Sequence, residues 1–385
     1  MRVRSLLLML SSFSPVRVFH TESDNVTGAS PDQVGVSILS DIHNAETAHV
    51  ESPETIRTKA SRLAHYYRND VPGTTRVSVS RHSDGISGLQ VESLDLLFLA
   101  KAFDGRRIPI VLDEHNVYWN MLKYGIFDSP FFRGQFGRTS VARSTLGPWL
   151  LSRAKRFEKK AIQNADKVLV TSDVDKAMIE REMPSAKHKI AVIPNCVDVA
   201  RYSIDPSKKP GEDGTRKVVF VGRLDYEANA DAVRSICNDM APAFDNSVRF
   251  QIIGGPIPSL ARYPSNVDFL GIVPDIRPIL RDADVCIAPL RFGSGTRIKI
   301  IEYLAMGKPV VTTSVGCEGL AVENGRNILI AEDPAGQSKH IRQVLDDGRL
   351  ASALGREGRR LAEEKYDWHV YVSDLRSVYE SVGAI

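Results

Sequence analysis

The stretch 283–316, ADVCIAPLRFGSGTRIKIIEYLAMGKPVVTTSVG, reads as strand, loop, helix and strand in turn. Its two strand candidates, 283–290 and 309–316, are near-continuous apolar runs, the pattern of strands buried on both faces. The stretch between them, 295–307, is helix-like. Outward from this unit the same rhythm continues. Further β-branched runs lie at 217–224, 248–255, 267–273 and 327–333, with helix-like stretches at 228–244, 275–283, 334–347 and 349–366. Strand and helix in alternation predict an α/β fold with a doubly wound parallel sheet.

The first half repeats the rhythm less cleanly. Strands are predicted at 3–10, 76–81, 89–93, 108–115, 167–171 and 190–194, and helices at 54–67, 93–103, 150–164 and 173–182. Two sheets in sequence follow, and 385 residues suffice for two or three domains that each bury a core. The boundary is expected in the polar, Pro/Gly-rich run 205–215. This gives an N-terminal Rossmann-like domain over 1–205, a second over 206–366, and a closing helix over 367–385. Val370, Val372, Leu375 and Val378 lie at helical spacing in that last segment and predict packing back on the first domain.

Composition excludes several classes. Hydrophobic residues at 43% and charged residues at 25% are ordinary globular values. A net charge of +3 excludes a global polycation and leaves room only for a local basic patch. Cys196, Cys237, Cys286 and Cys317 contain no CxxC spacing and have no histidine at ligand distance, so reduced thiols in a cytoplasmic chain are expected. Leu6 to Leu10 follow two arginines in the manner of a signal peptide, but the apolar run is short and a first buried strand is expected instead. No stretch reaches the roughly 18 apolar residues of a membrane span.

Ligands of open parallel sheets bind beyond the carboxyl ends of the strands. After strand 283–290 comes Arg291-Phe292-Gly293-Ser294-Gly295-Thr296-Arg297-Ile298-Lys299-Ile300-Ile301-Glu302. Gly293 and Gly295 admit close approach, and their amides precede a helix end that carries about half a positive charge. Arg297 and Lys299 add cations where the dipole favours acids, which makes sense if an anion arrives. A nucleotide diphosphate fits, with Ser294 and Thr296 as neutral donors and Glu302 accepting the ribose hydroxyls. The plain alternative leaves Arg297 and Lys299 solvated and pairs Glu302 with Lys299 at i, i+3. Gly222 and Arg223 form a second turn, where Arg223 could reach a phosphate across a cleft. Gly254-Gly255-Pro256 forms a third turn that either seats a base or only turns the chain.

In the first half, Asp113-Glu114-His115-Asn116 follows an apolar strand with four polar groups in a row, costly unless they face a cleft or one another. His115 reads either as a ligand to a sugar hydroxyl or as a structural histidine oriented by Asp113, and Glu92 faces the same side. No second histidine lies near His115, so no metal is expected. From Tyr124 to Lys160, eight basic residues stand against Asp128 and Glu158, among Phe127, Phe131, Phe132, Phe136 and Trp149. That mixture suits either an anionic membrane surface or a solvated helix face. Nucleic acid is not expected, because no binding motif accompanies the patch.

Val-Gly-Arg-Leu at 221–224, Gly271-Ile272-Val273-Pro274-Asp275-Ile276, Ala283-Asp284-Val285, and Gly-Thr-Arg-Ile-Lys-Ile-Ile-Glu at 295–302 with 306–311 resemble the group 1, or family four, retaining glycosyltransferases. Residues 112–116, 165–168 and 193–198 are similar to that family's first domain. The resemblance covers about 88–380. It implies a GT-B architecture: two Rossmann-like domains facing across a cleft, with a nucleotide sugar held mainly by the second. By the same resemblance His115 lies near the transferred sugar, Arg223 and Lys299 face the diphosphate, Glu302 meets the ribose, and the Val273 segment meets the base. No metal and no cofactor is implied. Ser294 stands where the family often has a first glutamate, and a lysine common after Gly-Arg-Leu is replaced near Asn229. The expected activity is transfer of a hexosyl group from a UDP- or GDP-type donor to a glycan or lipid-linked acceptor, with cytoplasmic or peripheral membrane placement. A nucleotide-sugar epimerase or phosphorylase on the same architecture, or a silent membrane-surface scaffold, stays open.

Overall fold

The computed structural model describes residues 2–14, 16–20, 45–49, 86–92, 97, 108–124, 141–202, 214–257 and 263–385. The helix expected at 54–67, all of that at 93–103 but residue 97, the strand at 76–81 and most of the boundary run 205–215 lie outside these residues. In chain order the elements are α1 (Arg2–Ser11), β1 (Val16–His20), β2 (Ala45–His49), β3 (Leu89–Val91), β4 (Ile110–Glu114), α2 (Tyr118–Lys123), α3 (Val141–Asn164), β5 (Lys167–Val170), α4 (Asp173–Glu182) and β6 (Ile190–Val192). They continue with β7 (Arg216–Val221), α5 (Glu227–Ser235), β8 (Val248–Ile253), β9 (Val267–Gly271), α6 (Arg277–Asp282), β10 (Val285–Ala288) and α7 (Ile298–Ala305). The last are β11 (Val310–Thr312), β12 (Leu329–Ile330), α8 (Pro334–Asp346), α9 (Gly348–Lys365) and α10 (Val372–Glu380). Two compact units result. One gathers Met1–Tyr118, Arg153–Pro194 and Trp368–Ile385, and the other gathers Trp119–Ser152 and Asn195–Asp367.

The N-terminus corrects the expected strand at 3–10, because Arg2–Ser11 is a helix. Leu6, Leu7, Met9 and Leu10 are buried, a one-sided spacing that a helix satisfies. Leucine and methionine also favour helix over strand. Ser11 and Ser12 donate through Oγ to the carbonyls of Leu8 (3.1 Å) and Met9 (2.6 Å), occupying acceptors that a helix end leaves open. The β-branched run comes later, as β1, which pairs in parallel with β2.

The main sheet of the first unit is parallel and ordered β3-β4-β5-β6. Val111 and Leu112 in β4, and Val168, Leu169 and Val170 in β5, are fully buried. Leu375, Val378 and Tyr379 of α10 are buried in the same unit. Its tail is fastened to the approach of β3: Ser87 Oγ donates to the Ala384 carbonyl at 2.5 Å. A side chain at Gly88 would put its Cβ 2.7 Å from Ala384 Cβ, so the tail needs a glycine there.

In the second unit a six-stranded sheet has the order β12-β11-β10-β7-β8-β9, parallel throughout. Along β7, Val218 and Phe220 enter one apolar cluster and Val219 the other, so both faces are covered, as the unbroken apolar run predicts. Ile300, Ile301 and Leu304 of α7 are fully buried, each contributing about 2 kcal/mol of apolar burial. The two units share a device. Asp166 N donates to the Ile110 carbonyl and Asp166 Oδ2 accepts from Ile110 N, both at 2.8 Å. Asp284 does the same with Lys217, at 2.9 and 2.7 Å. The Ala-Asp pairs at 165–166 and 283–284 therefore each lock one strand start to its neighbour.

Candidate functional site

In the second sheet β7 lies between β10 and β8, the place where the strand order reverses and where doubly wound sheets bind ligands. The turn after β7 is Gly222-Arg223. A Cβ on Gly222 would sit 2.8 Å from both Asn229 Cγ and Lys299 Nζ. Gly254, at φ +131°, approaches so closely that a Cβ there would overlap the Gly222 carbonyl. The absence of side chains at 222 and 254 thus lets the turns after β7 and β8 meet the first turn of α7.

Lys299 is the centre of this half. Its ammonium donates to Asn229 Oδ1 at 2.8 Å and lies 4.2 Å from the centre of the Phe220 ring. It turns to an amide and an aromatic face, and the i, i+3 pair with Glu302 is not formed. Burial first, then the neighbouring Arg297, press its pKa down to about 7, against a smaller upward pull from Glu302. Asn229 Nδ2 donates in turn to the Arg223 carbonyl at 2.8 Å, tying the β7 turn to Lys299.

The glycine-rich loop is held from several sides. Arg297 stands at the cap position just before α7, not within its first turn, and its guanidinium donates back to the carbonyls of Ser294 and Gly295. Gly293, at φ +125°, leaves room for that guanidinium: a Cβ would lie 2.8 Å from Arg297 Nη2. Gly295 also takes a positive φ. Thr296 Oγ1 accepts from Asn195 Nδ2 at 2.5 Å. Ser294 Oγ and Asn195 Oδ1 are buried with no hydrogen-bond partner among the described residues, an arrangement that costs about 1–3 kcal/mol per group unless something arrives to pair it.

Glu302 is buried, and its Oε1 accepts from the Tyr202 hydroxyl at 2.9 Å. Burial raises its pKa, and the Tyr202 hydrogen bond opposes that rise. Val273 packs partly buried against the core just beyond β9. Arg223 is the expected residue that the structure leaves apart: its side chain is 80% exposed and paired with Asp225, two residues on. A short local ion pair in solvent wins over a reach toward the Lys299 group.

The first unit presents a different constellation beyond β3 and β4. His115 Nε2 lies 2.9 Å from Asp113 Oδ2 and 3.2 Å from Glu92 Oε2. Asp113 is fully buried and His115 partly exposed. Burial alone would lower the imidazole pKa, but the hydrogen bonds to Asp113 and Glu92 outweigh it and raise the value from 6.5 to about 9. One atom of each residue lies within 4.8 Å of the others, and the two contacts on His115 Nε2 account for that closeness. Glu92 Oε1 accepts from Gln90 Nε2, and Gln90 Oε1 accepts from the Tyr379 hydroxyl at 2.6 Å.

Of the predicted site residues, the structure gathers Gly222, Gly254, Gly293, Ser294, Gly295, Thr296, Arg297, Lys299 and Glu302 beyond the carboxyl ends of the central strands of the second sheet, and sets His115 with Glu92 in the first unit. Tyr202 and Tyr379 are further participants without a sequence signal, since their partners lie 100 or more residues away, and Asn195 and Gln90 join through equally distant partners. In the basic stretch, Lys155 and Lys159 share Glu182, while Trp149 and Leu150 are exposed; residues 125–140 lie outside the described ones. All four cysteines are free and buried. No helix among the described residues is long and apolar enough to cross a membrane.

Comparisons with known proteins agree with this geometry. Residues 89–201 match the Glycosyltransferase Family 4 profile and 215–347 the profile described as Glycosyl transferases group 1, together more than half of the chain. The phosphatidyl-myo-inositol mannosyltransferase of Mycolicibacterium smegmatis is 29% identical over 201 residues, 50% of this chain and 52% of that one. The chain spans about half the length of such curated relatives. Sucrose-phosphate synthase from Thermosynechococcus elongatus superposes with a TM-score of 0.70 at 18% identity, covering 99% of this chain and 92% of that one. Anabaena HepE, crystallised with UDP and glucose, gives 0.66 at 15% identity, with 99% and 95% covered. With a profile matching each half and a superposition that covers 99% of the chain, the chain belongs to the group 1 and family four glycosyltransferases and has the GT-B fold.

Proposed function

We propose that the protein is a retaining glycosyltransferase that moves a hexosyl group from a UDP- or GDP-type nucleotide sugar to a glycan or lipid-linked acceptor without a metal ion. The observation that carries this reading is Lys299: a partly buried ammonium at the switch point of the sheet, held by an amide and an aromatic ring and by no carboxylate. Such a cation is costly alone and favourable once a diphosphate is beside it. The orphaned Ser294 hydroxyl and the α7 terminus complete an anion cradle. In this reading Lys299 and the helix amides stabilise the departing diphosphate, which is where the charge of the transition state develops. Arg223 joins when the ligand displaces Asp225, Glu302 takes the ribose hydroxyls, and the Val273 segment and Gly254 border the base. His115 meets the transferred sugar, with both carboxylates on Nε2 and Nδ1 left to the ligand. HepE, whose crystals hold UDP and glucose, lends support from a shared fold.

A ligand that binds only the native state must raise the melting temperature, by about 2.7 kcal/mol of stabilisation at 100 times Kd. A thermal-shift panel of UDP, GDP, ADP and their sugars is therefore expected to single out one base. If no nucleoside diphosphate moves the transition, the reading fails. A lipid-linked acceptor would bring the chain to an anionic cytoplasmic membrane face, with the exposed Trp149 and Leu150 entering the interface. Trp149→Ala is then expected to weaken co-sedimentation with phosphatidylglycerol vesicles several-fold, and unchanged sedimentation would remove that surface from the proposal.

A further inference from the structure

We propose that Tyr379, Gln90 and Glu92 form a positioning chain that sets the orientation and proton occupancy of His115, so that the C-terminal helix takes part in the reaction without touching substrate. The inference rests on the reading of His115 given above and adds residues that neither the resemblance nor the comparisons supply.

The chain has a direction. A tyrosine hydroxyl buried beside the carboxylates Glu92 and Asp113 stays protonated: burial, then those two charges, push its pKa far up. It donates at 2.6 Å to Gln90 Oε1, which fixes the amide with Nε2 on the other side. Nε2 donates to Glu92 Oε1, leaving Glu92 Oε2 for His115 Nε2 at 3.2 Å. Gln90 and Glu92 are two residues apart along one strand direction and so share a face of the sheet. Asp113 Oδ2 receives the same ring nitrogen at 2.9 Å from the neighbouring strand. The groups facing His115 are therefore Glu92 and Asp113, and the one that orients Glu92 from α10 is Tyr379.

The α10 end of the chain is anchored. Ser87 holds the Ala384 carbonyl, and Gly88 leaves space for the tail alone. Tyr379 is 5% exposed, which gives its hydroxyl a single fixed place. A buried hydroxyl needs only one acceptor, and any backbone carbonyl would serve. Here the acceptor is an amide whose other end is committed to a carboxylate, which is committed to a partly exposed imidazole. Hydrogen-bond partners that act through a ring nitrogen in this way set its tautomer and basicity.

The test is a histidine-selective carbon-13 NMR titration of the whole chain, with the His115 resonance assigned by its loss in His115→Gln, alongside release of nucleoside diphosphate from the best-stabilising nucleotide sugar. Tyr379→Phe keeps the ring and removes only the hydroxyl. It is expected to lower the His115 midpoint by about half a unit or more and kcat about 10-fold with donor KM unchanged, on the scale of outer-partner losses. Gln90→Met, of equal length and without the amide, is expected to do the same. Glu92→Gln is expected to lower the midpoint by about 1–3 units, the size of one removed opposite charge. A His115 midpoint that is unmoved or raised in both Tyr379→Phe and Gln90→Met overturns the proposal, whatever happens to the rate. The titration needs neither donor nor acceptor, so it decides the chain even if His115→Gln turns over normally and only the catalytic reading of His115 fails.

Discussion

His115 and Lys299 are the two cations around which the two units build their carboxyl-end constellations, and they are treated in opposite ways. His115 is given two carboxylates and is raised to about 9, whereas Lys299 is given an amide and a phenyl face and is lowered to about 7. Burial disfavours charge at both positions; the difference is whether the protein supplies the counter-charge itself. In the first unit Asp113 and Glu92 supply it in advance, so the imidazolium is favoured up to about pH 9. In the second the counter-charge is left to the ligand, and Lys299 becomes fully ionic only when an anion arrives.

The signs follow from linkage. A base whose folded pKa is raised contributes stability that is complete below its unfolded value and is lost as pH rises through the folded one, so His115 stabilises below about pH 6.5 and ceases to do so above about pH 9. Lys299 is the reverse: the folded state sheds a proton that the unfolded chain keeps, and the penalty grows as pH falls from 10.5 and is complete below about pH 7. The sharpest way to break the comparison is Lys299→Met, which keeps most of the aliphatic stem and removes the charge. Donor turnover is expected to fall by about 10² to 10³-fold, the scale of a lost transition-state donor. The ligand-free thermal midpoint is expected to rise above the wild type at pH 7 and below, with the gap narrowing toward pH 10. A midpoint that drops at every pH would show that the partly buried ammonium is a structural anchor and not a site in waiting.

A smaller effect sharpens the same contrast. At pH 8 Lys299 is mostly neutral, so binding a nucleoside diphosphate is expected to take up a substantial fraction of one proton. Titration calorimetry in two buffers of different ionisation heat measures it directly, and Lys299→Met is expected to abolish the uptake while His115→Gln leaves it in place. Equal apparent heats in both buffers with the native chain would mean that Lys299 is already charged, and the contrast between the two cations would vanish.

The second sheet was legible because its strands are buried on both faces, so apolar runs such as 283–290 and 309–316 mark them with little ambiguity; β10 and β11 fall inside those runs. The glycines at 222, 254 and 293 were legible too, since a turn at a strand end that must admit another segment tolerates little else. The N-terminal helix was not, because a five-residue apolar run suits a buried strand and a one-sided helix alike. Nor was the pairing of Arg223 with Asp225 in place of a phosphate reach, a competition that neighbouring residues settle and a motif does not.

Sequence alone thus determined the alternation of strand and helix, the doubly wound class and the glycine-rich loop before α7, because these depend on periodicity and on local backbone freedom. Only the tertiary structure decided that Asn229 holds Lys299, that Tyr202 holds Glu302, and that Tyr379 reaches Gln90 across 289 residues of chain. Hydrogen bonds between residues so far apart leave no period or spacing to read; they exist only once packing has brought the two segments together.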